Sequence, residues 1–433
     1  MRYRHVQAGP AVRHGLPHPP RSGHPDVIVV GSGIVGAACA ESLTRRGVRV
    51  TVLDHAPLVS GTTASGEGNL LVSDKPPGPE LDLALVSSAR WPRLLAELDD
   101  ELRGGGGGAV GTAGAGVPGG LVERCEYETK GGLVVALGAA GARALTGFAA
   151  AQRAAGVTAY EVGPDEVHAY EPHVSPGVRA AVHYPQDAQI QPVAAATALL
   201  GAVQGRGGTL RSGVRALGVE RGADGRVTAL RTSAGTLPCG AVVNACGPWA
   251  GRFARAAGTP LPVRPRRGLV LVTAPLPPGT VRHKVYDADY VGAVGSGDAD
   301  LRTSTVVEAT RGGTVLIGSS RERAGFEERF RVAVLRELAR KATALFPVLG
   351  RVPVIRAYGG FRPYTPDHLP VIGPDPRLPG LWHATGHEGA GIGLAPATGE
   401  LLAQLYAGER PCLDPEPYRV GRPGLTEEAR CSA

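Results

Sequence analysis

Residues 26–54 read DVIVVGSGIVGAACAESLTRRGVRVTVLD, and the fold is decided there. Val27 to Val30 is a short β-branched apolar run, which reads as a buried parallel strand. Gly31, Gly33 and Gly36 follow at once in GxGxxG spacing. From Ile34 to about Arg46 the pattern is helical, with small residues at Ala37, Ala38 and Ala40. Val48 to Leu53 reads as a second strand ending on Asp54. Gly31 permits the tight turn, Gly33 lets a pyrophosphate approach the backbone, and Gly36 lets the helix pack close on the sheet. The helix N-terminus, with Ile34 and Val35 in its first turn, offers N–H groups and a positive dipole end to phosphates. Asp54 follows about twenty residues after the first glycine, where an acid accepts hydrogen bonds from ribose hydroxyls. Glycine-rich turns are common. Strand, turn, helix, strand and acid in this order point to dinucleotide binding, without separating FAD from NAD.

Outward from this unit, 433 residues suffice for one large core or two ordinary ones. With 43% hydrophobic and 20% charged residues, the composition is that of a globular protein. No apolar run reaches the roughly 18 residues of a membrane span. The net charge is +7, and Arg2, Arg4, Arg13 and Arg21 lie in residues 1–25 without an acid. That segment reads as a disordered basic tail; it lacks the apolar core of a signal peptide. The remainder is too mildly basic to suggest nucleic acid. The six cysteines form no CxxC pair, so no metal or iron–sulfur site is expected and a reducing cytoplasm fits.

Ser60 to Lys75, SGTTASGEGNLLVSDK, is dense in glycine and hydroxyl residues. It fits a loop laid against a polar ring or phosphate and equally an ordinary surface loop. Leu81 to Leu102 is helical, and residues 104–120 are a glycine-rich insertion without core residues. Cys125 to Leu137 reads as two strands around Lys130-Gly131-Gly132, and Ala140 to Ala155 as a helix. An Ala-rich helix ends near Leu200, and strands are expected over Thr209 to Val219, Val227 to Thr232 and Ala241 to Asn244. Leu269 to Thr273, Val281 to Tyr286 and Thr314 to Gly318 read as further strands, and Glu327 to Phe346 as an amphipathic helix. Gly386 to Gly393 is a second glycine-rich loop opening a helix, which runs to about Tyr406. The chain after Cys412 reads as a loosely ordered tail.

These pieces resemble the FAD-dependent amino acid and amine oxidoreductases of the D-amino-acid oxidase type. The matching stretches are GSGIVGAACAESLTRRGVRVTVLD, GTTASGEGNLLVSDK, VVNACGPWA, VLIGSSRERAGFE, FRPYTPDHLPVIGP and GHEGAGIGLAPATG, in order from residue 26 to about 407. GEGNLLVSD, IGSSRE and GHEGAGIGL look nearest to hydroxyproline and opine dehydrogenase flavin subunits. The resemblance implies an α/β fold in which a Rossmann-like FAD domain carries a smaller antiparallel-sheet substrate domain. Residues 26–105, 187–262 and 355–410 would form the first, and 121–186 and 263–354 the second.

The resemblance further implies which residues meet the cofactor. Gly31, Gly33, Ile34, Val35, Gly36 and Asp54 would hold the AMP end. Thr62, Thr63, Ala64, Ser65, Gly68, Asn69 and Leu70 would meet the flavin, as would Gly386, Glu388, Gly389, Ala390, Gly391 and Ile392. Ala216 would contact adenine through its backbone, and Ala245 and Gly247 would flank the cofactor.

The implied chemistry is hydride transfer from a small amino acid's Cα to flavin N5, giving an imine. The substrate would be a D-amino acid or a cyclic imino acid such as hydroxyproline. Sarcosine- or glycine-type oxidation with oxygen is the alternative. A further one is a subunit active only with iron–sulfur and second flavoprotein partners. Arg362 in FRPYTPD takes the position that binds the substrate carboxylate, for which a guanidinium is suited by its paired donors and permanent charge. His387 is compatible with a bond to flavin or substrate and with packing. Tyr364 fits the pocket wall or the underside of the sheet, and Tyr286 and Tyr290 fall on substrate-domain strands.

Overall fold

The computed structural model describes residues 23–104, 119–288 and 301–425. Its first sheet has six strands in the order Val371–Pro374, Leu381–Thr385, Ala241–Asn244, Val27–Val30, Val50–Leu53 and Thr209–Arg211. All neighbours are parallel except the first pair. The three central strands are buried at every residue, which is why their sequences are continuous apolar runs and do not alternate. One face carries the helices Ile34–Arg45, Pro192–Gly205, Gly391–Ala407 and Pro79–Gly104. The first and third meet at backbone distance: a Cβ on Gly399 would lie 2.4 Å from the Ala38 carbonyl oxygen. Against the other face, Val227, Leu230 and Phe253 pack on Ile28, Val30 and Val242. They belong to a three-stranded antiparallel sheet (Ala216–Arg221, Val227–Thr232, Gly235–Pro238) and to the helix Ala250–Ala256.

The second sheet has eight strands, in the order Val354–Tyr364, Arg264–Thr273, Val315–Arg321, Arg302–Ala309, Lys284–Asp287, Gly132–Ala136, Ala180–Tyr184 and Tyr160–Val162. It is antiparallel except where Lys284–Asp287 runs parallel to Gly132–Ala136. The helix Val332–Leu345 covers one face through Val334, Leu338 and Leu345.

Several elements depart from the sequence expectation. The single strand expected over Thr209 to Val219 breaks at Gly213, whose φ is +73°. Its two halves then join different sheets. In place of the first strand of the expected Cys125 hairpin stand the short helix Leu121–Arg124 and a bridge between Glu128 and Gln189, with Glu126 at positive φ between them. The amphipathic helix starts at Val332 and not Glu327, because the Glu327 and Arg329 carbonyls accept from the Arg267 guanidinium, both at 2.9 Å. The expected domain boundary at 355 also moves. Val354–Tyr364 pairs along its length with Arg264–Thr273 and so belongs to the second sheet.

The tail is ordered beyond Cys412. Tyr418 is buried and donates to the Pro79 carbonyl, while Arg422 clamps Asp367 with two bonds, 2.5 and 2.9 Å. The basic tail through residue 22, the glycine-rich insertion over 105–118, Tyr290 and residues past 425 lie outside the described residues.

Candidate cofactor and substrate cleft

A cleft of about 750 Å³ runs between the two sheets, from the Gly31 turn to the start of the helix Gly391–Ala407. At one end glycine is a steric requirement. Gly31 has φ +111°, and a Cβ there would sit 2.2 Å from the Ala245 oxygen. A Cβ on Gly36 would sit 2.0 Å from the Gly31 oxygen. The Asp54 carboxylate ties this turn to the second strand: Oδ2 accepts from the Ser32 amide (2.9 Å) and hydroxyl (2.6 Å), and Oδ1 from the Ala56 amide (3.1 Å). Thr63 Oγ1 accepts the Ile34 amide at 3.0 Å, which fixes the hydroxyl-rich loop on the helix N-terminus. Thr62 donates to the Phe361 carbonyl at 2.6 Å, joining the same loop to the second sheet. The stretch left open between ligand loop and surface loop is therefore a wall of the cleft.

Gly31, Gly33, Ile34, Val35, Gly36, Asp54, Thr62, Thr63, Ser65, Gly68, Asn69, Ala216, Ala245 and Gly247 all line this space. So do Arg362, His387, Glu388, Gly389, Gly391 and Ile392 at the other end. Five expected residues do not. Ala64 faces an adjoining cavity of about 200 Å³. Leu70 is in the core, and Gly386 and Ala390 sit behind the lining. Tyr364 is buried under the sheet, where its hydroxyl accepts from Arg323 and its ring packs on Arg323 and His368. Tyr286 likewise points away from the cleft and donates to Ser73 Oγ at 2.5 Å.

Arg362 reaches across the neighbouring strand over Gly268. Its Nη1 donates to the Ser320 carbonyl at 2.8 Å, and a Cβ on Gly268 would lie 2.1 Å from that nitrogen. Gly389 permits the approach from the other side, its Cβ position being 3.3 Å from Arg362 Nε. Glu388, at φ +46°, holds its largely buried carboxylate between Arg266 (3.1 Å) and His368 (2.7 Å). His387 is buried, and its Nε2 lies 3.0 Å from Thr398 Oγ1. The Thr398 hydroxyl donates to the Leu394 carbonyl, so the imidazole is the donor in that pair. Burial pushes its pKa down to about 3, which keeps it neutral.

Trp249, Arg252, Gly268, Ser319 and Arg321 also line the cleft and were not singled out from sequence. Trp249 and Arg321 fall inside the quoted motifs GPWA and IGSSRE, but nothing in residue type or spacing distinguishes them from structural residues.

A glycine turn that only glycine can make, an acid on the second strand and a long cleft ending at a second helix N-terminus define a dinucleotide-binding oxidoreductase fold. The chain matches the family model described as FAD dependent oxidoreductase (DAO) over residues 26–405, and it belongs to that family. It is 28% identical to glycine oxidase of Geobacillus kaustophilus over 401 residues, covering 92% of this chain and 97% of the relative. It is 27% identical to hydrogen cyanide synthase subunit HcnC of Pseudomonas aeruginosa over 440 residues, covering 92% and 96%. The crystal structure of the Geobacillus glycine oxidase superposes with a TM-score of 0.79 at 26% identity, over 92% of this chain and 99% of that one. The protein is thus an FAD-dependent oxidoreductase. Among the described residues no helix is long and apolar enough to cross a membrane, and no cluster of His, Cys, Asp or Glu is built to hold a metal.

Proposed function

We propose that the chain oxidises the C–N bond of a small amino acid, a D-amino acid or a cyclic imino acid such as hydroxyproline. The observation that carries this reading is Arg362. Its guanidinium lines the cleft beside the Gly386–Gly393 loop, is held by the Ser320 carbonyl, and is given room by two glycines. A carboxylate bound there in two parallel hydrogen bonds has its Cα placed by that pairing. The Gly31–Gly36 turn and Asp54 would hold the nucleotide end of FAD, and Thr62 to Asn69 with His387 to Ile392 the flavin end. FAD, held by these residues, would supply the acceptor for a hydride from the substrate Cα–H, leaving an imine product that water hydrolyses. The N-terminal amides of the helix Gly391–Ala407 supply donors and a positive dipole end, and His387, neutral and with its one N–H given to Thr398, adds no titrating group. No protein base is required beyond an uncharged substrate amine.

Full-length similarity to glycine oxidases favours a second reading, oxidation of glycine or sarcosine with oxygen. The similarity to a hydrogen cyanide synthase subunit supports a third reading, a chain that works with other subunits; iron–sulfur and second flavoprotein chains are the partners proposed for it. The described cysteines are unpaired, in keeping with a reducing, cytoplasmic setting.

Anaerobic addition of D-proline, hydroxyproline isomers, D-alanine, sarcosine or glycine should bleach the flavin. The rate of colour recovery in air then separates an oxidase from a dehydrogenase. Arg362→Ala should raise the half-saturating concentration of the bleaching substrate about a hundredfold while FAD stays bound. Unchanged kinetics in that variant would remove Arg362 from its role.

A further inference from the structure

Among the described residues, the carboxylates that line the cleft are Asp54, Glu67 and Glu388. Asp54 is taken up by the glycine-rich turn, and Glu388 lies between Arg266 and His368. Glu67 differs from both. Its Oε2 accepts from Asn69 Nδ2 at 3.0 Å, while Oε1 is shielded from water and has no hydrogen-bond partner. Arg311 and Arg356 share with Glu67 the wall of the adjoining cavity, but among the described residues it forms no ion pair. A buried anionic oxygen without a donor is costly, and a ligand that brings a donor gains what the protein leaves unmade.

The surroundings favour a cation at this point. Burial raises the pKa of Glu308, Lys284 and Lys130 pull it down, and Glu67 adds to the rise. Burial raises that of Tyr358 as well, and Glu67 again adds to it. The charge on Glu67 therefore acts on an interior that already holds a second carboxylate, and a positive partner offsets the repulsion.

The sheet sets the distance from Glu67 to Arg362. Val354–Tyr364, Arg264–Thr273 and Val315–Arg321 are successive strands. The Arg362 guanidinium lies over Gly268 and donates to the Ser320 carbonyl. Glu67 lies over Gly318, two residues back along the Ser320 strand: a Cβ on Gly318 would sit 2.4 Å from Glu67 Oε1. Two residues of strand span roughly 7 Å. An α-amino acid with one hydrogen bond at its carboxylate and another at its nitrogen bridges a gap of that order, since each bond adds about 2.8 Å.

We propose that Glu67 recognises the substrate nitrogen: its carboxylate accepts an N–H of the amino group while Arg362 holds the carboxylate of the same molecule. This rests on the proposed amino acid oxidation and deepens it. The substrate is read at both ends as a zwitterion. A carboxylic acid without nitrogen is rejected, because it leaves Oε1 without a donor.

The test uses the full-length FAD-bound protein and two probes that cannot be oxidised at Cα. 2-Aminoisobutyrate has a carboxylate and an ammonium but no Cα–H, and pivalate has a methyl group in place of the ammonium. Binding is read from the shift of the flavin spectrum and from Tm. Wild type should bind 2-aminoisobutyrate about tenfold or more tightly than pivalate. Glu67→Gln should cut that preference to within about threefold by weakening 2-aminoisobutyrate alone, with FAD content unchanged, and Glu67→Asp should keep part of it. The half-saturating concentration of the amino acid that bleaches the flavin should rise about ten- to hundredfold in Glu67→Gln. Absent or equal binding of the two probes in the wild type, equal losses for both in Glu67→Gln, or loss of FAD from that variant overturns the inference, and bleaching by an amino acid then leaves the oxidation reading standing. If no amino acid bleaches the flavin while the preference for 2-aminoisobutyrate is present and depends on Glu67, nitrogen recognition holds and the oxidation reading falls.

Discussion

Gly268→Ala separates the placement of Arg362 from its presence. The added methyl would lie 2.1 Å from Nη1, 2.5 Å from Cζ and 2.6 Å from Nη2 of Arg362. Ordinary contact is about 3.5 Å, so the guanidinium must retreat by more than about 1 Å. It gives way because it is the end of a flexible side chain, and its 2.8 Å bond to the Ser320 carbonyl is lost. A charge-assisted bond of this kind contributes about 1.5–3 kcal/mol. The alanine recovers part of that through lower unfolded-chain entropy, since Gly268 does not have a positive φ. Folding should therefore change little, with Tm lower by a few degrees at most. A misplacement of about 1 Å in a substrate-positioning group costs about a hundredfold in rate, or about 2.7 kcal/mol of transition-state stabilisation. The assay is anaerobic stopped-flow flavin reduction, with FAD content and Tm measured on the same preparation. The expected outcome is normal FAD content, near-normal Tm and kcat/KM about a hundredfold lower for carboxylate substrates. Unchanged kcat/KM would refute the argument that Arg362, in this position, holds the substrate.

Gly31→Ala should yield colourless or unfolded protein, because its Cβ would meet the Ala245 oxygen at 2.2 Å and φ is +111°; full flavin retention by absorbance would contradict the cradle. His387→Gln should leave the shape of the kcat/KM pH profile between pH 5 and 9 unchanged, because the imidazole is already neutral there; a limb lost in the variant would refute this. Asp187 is fully buried on Ser73 and the Val72 amide, and burial pushes its pKa up to about 6 from an unperturbed 3.8. The folded state thus binds this proton more tightly than the unfolded state does. The resulting stability is present below about pH 4 and lost as pH rises through 6. Wild type should lose about 2 kcal/mol relative to Asp187→Asn between pH 4 and 7, measured by urea unfolding of both proteins across that range. Parallel curves for the two would show that Asp187 is not the titrating group.

Local sequence determined a good deal about this protein. The strand, glycine turn, helix, strand and Asp54 are all encoded within about thirty residues, since each depends on neighbours in the chain: β-branched runs, a turn only glycine can make, a small-residue helix face. The loop at Gly386 and the helix after it were legible for the same reason. Most residues singled out by resemblance line the cleft because they sit in such local units.

Long-range packing decided the rest. The chain switches sheets at Gly213, because the two segments on either side find different partners. Val354–Tyr364 joins the second sheet through Arg264–Thr273, about ninety residues away, which no local pattern announces. Tyr286 and Tyr364 turned out to be buried because alternation fixes two faces of a strand without saying which one meets the cleft. Gly268 gained its meaning in the same way. A glycine within a strand is unremarkable until pairing sets it beside Arg362. What the tertiary structure alone supplied is that juxtaposition. Charge and space at the site come from three strands brought together by hydrogen-bond register across the sheet.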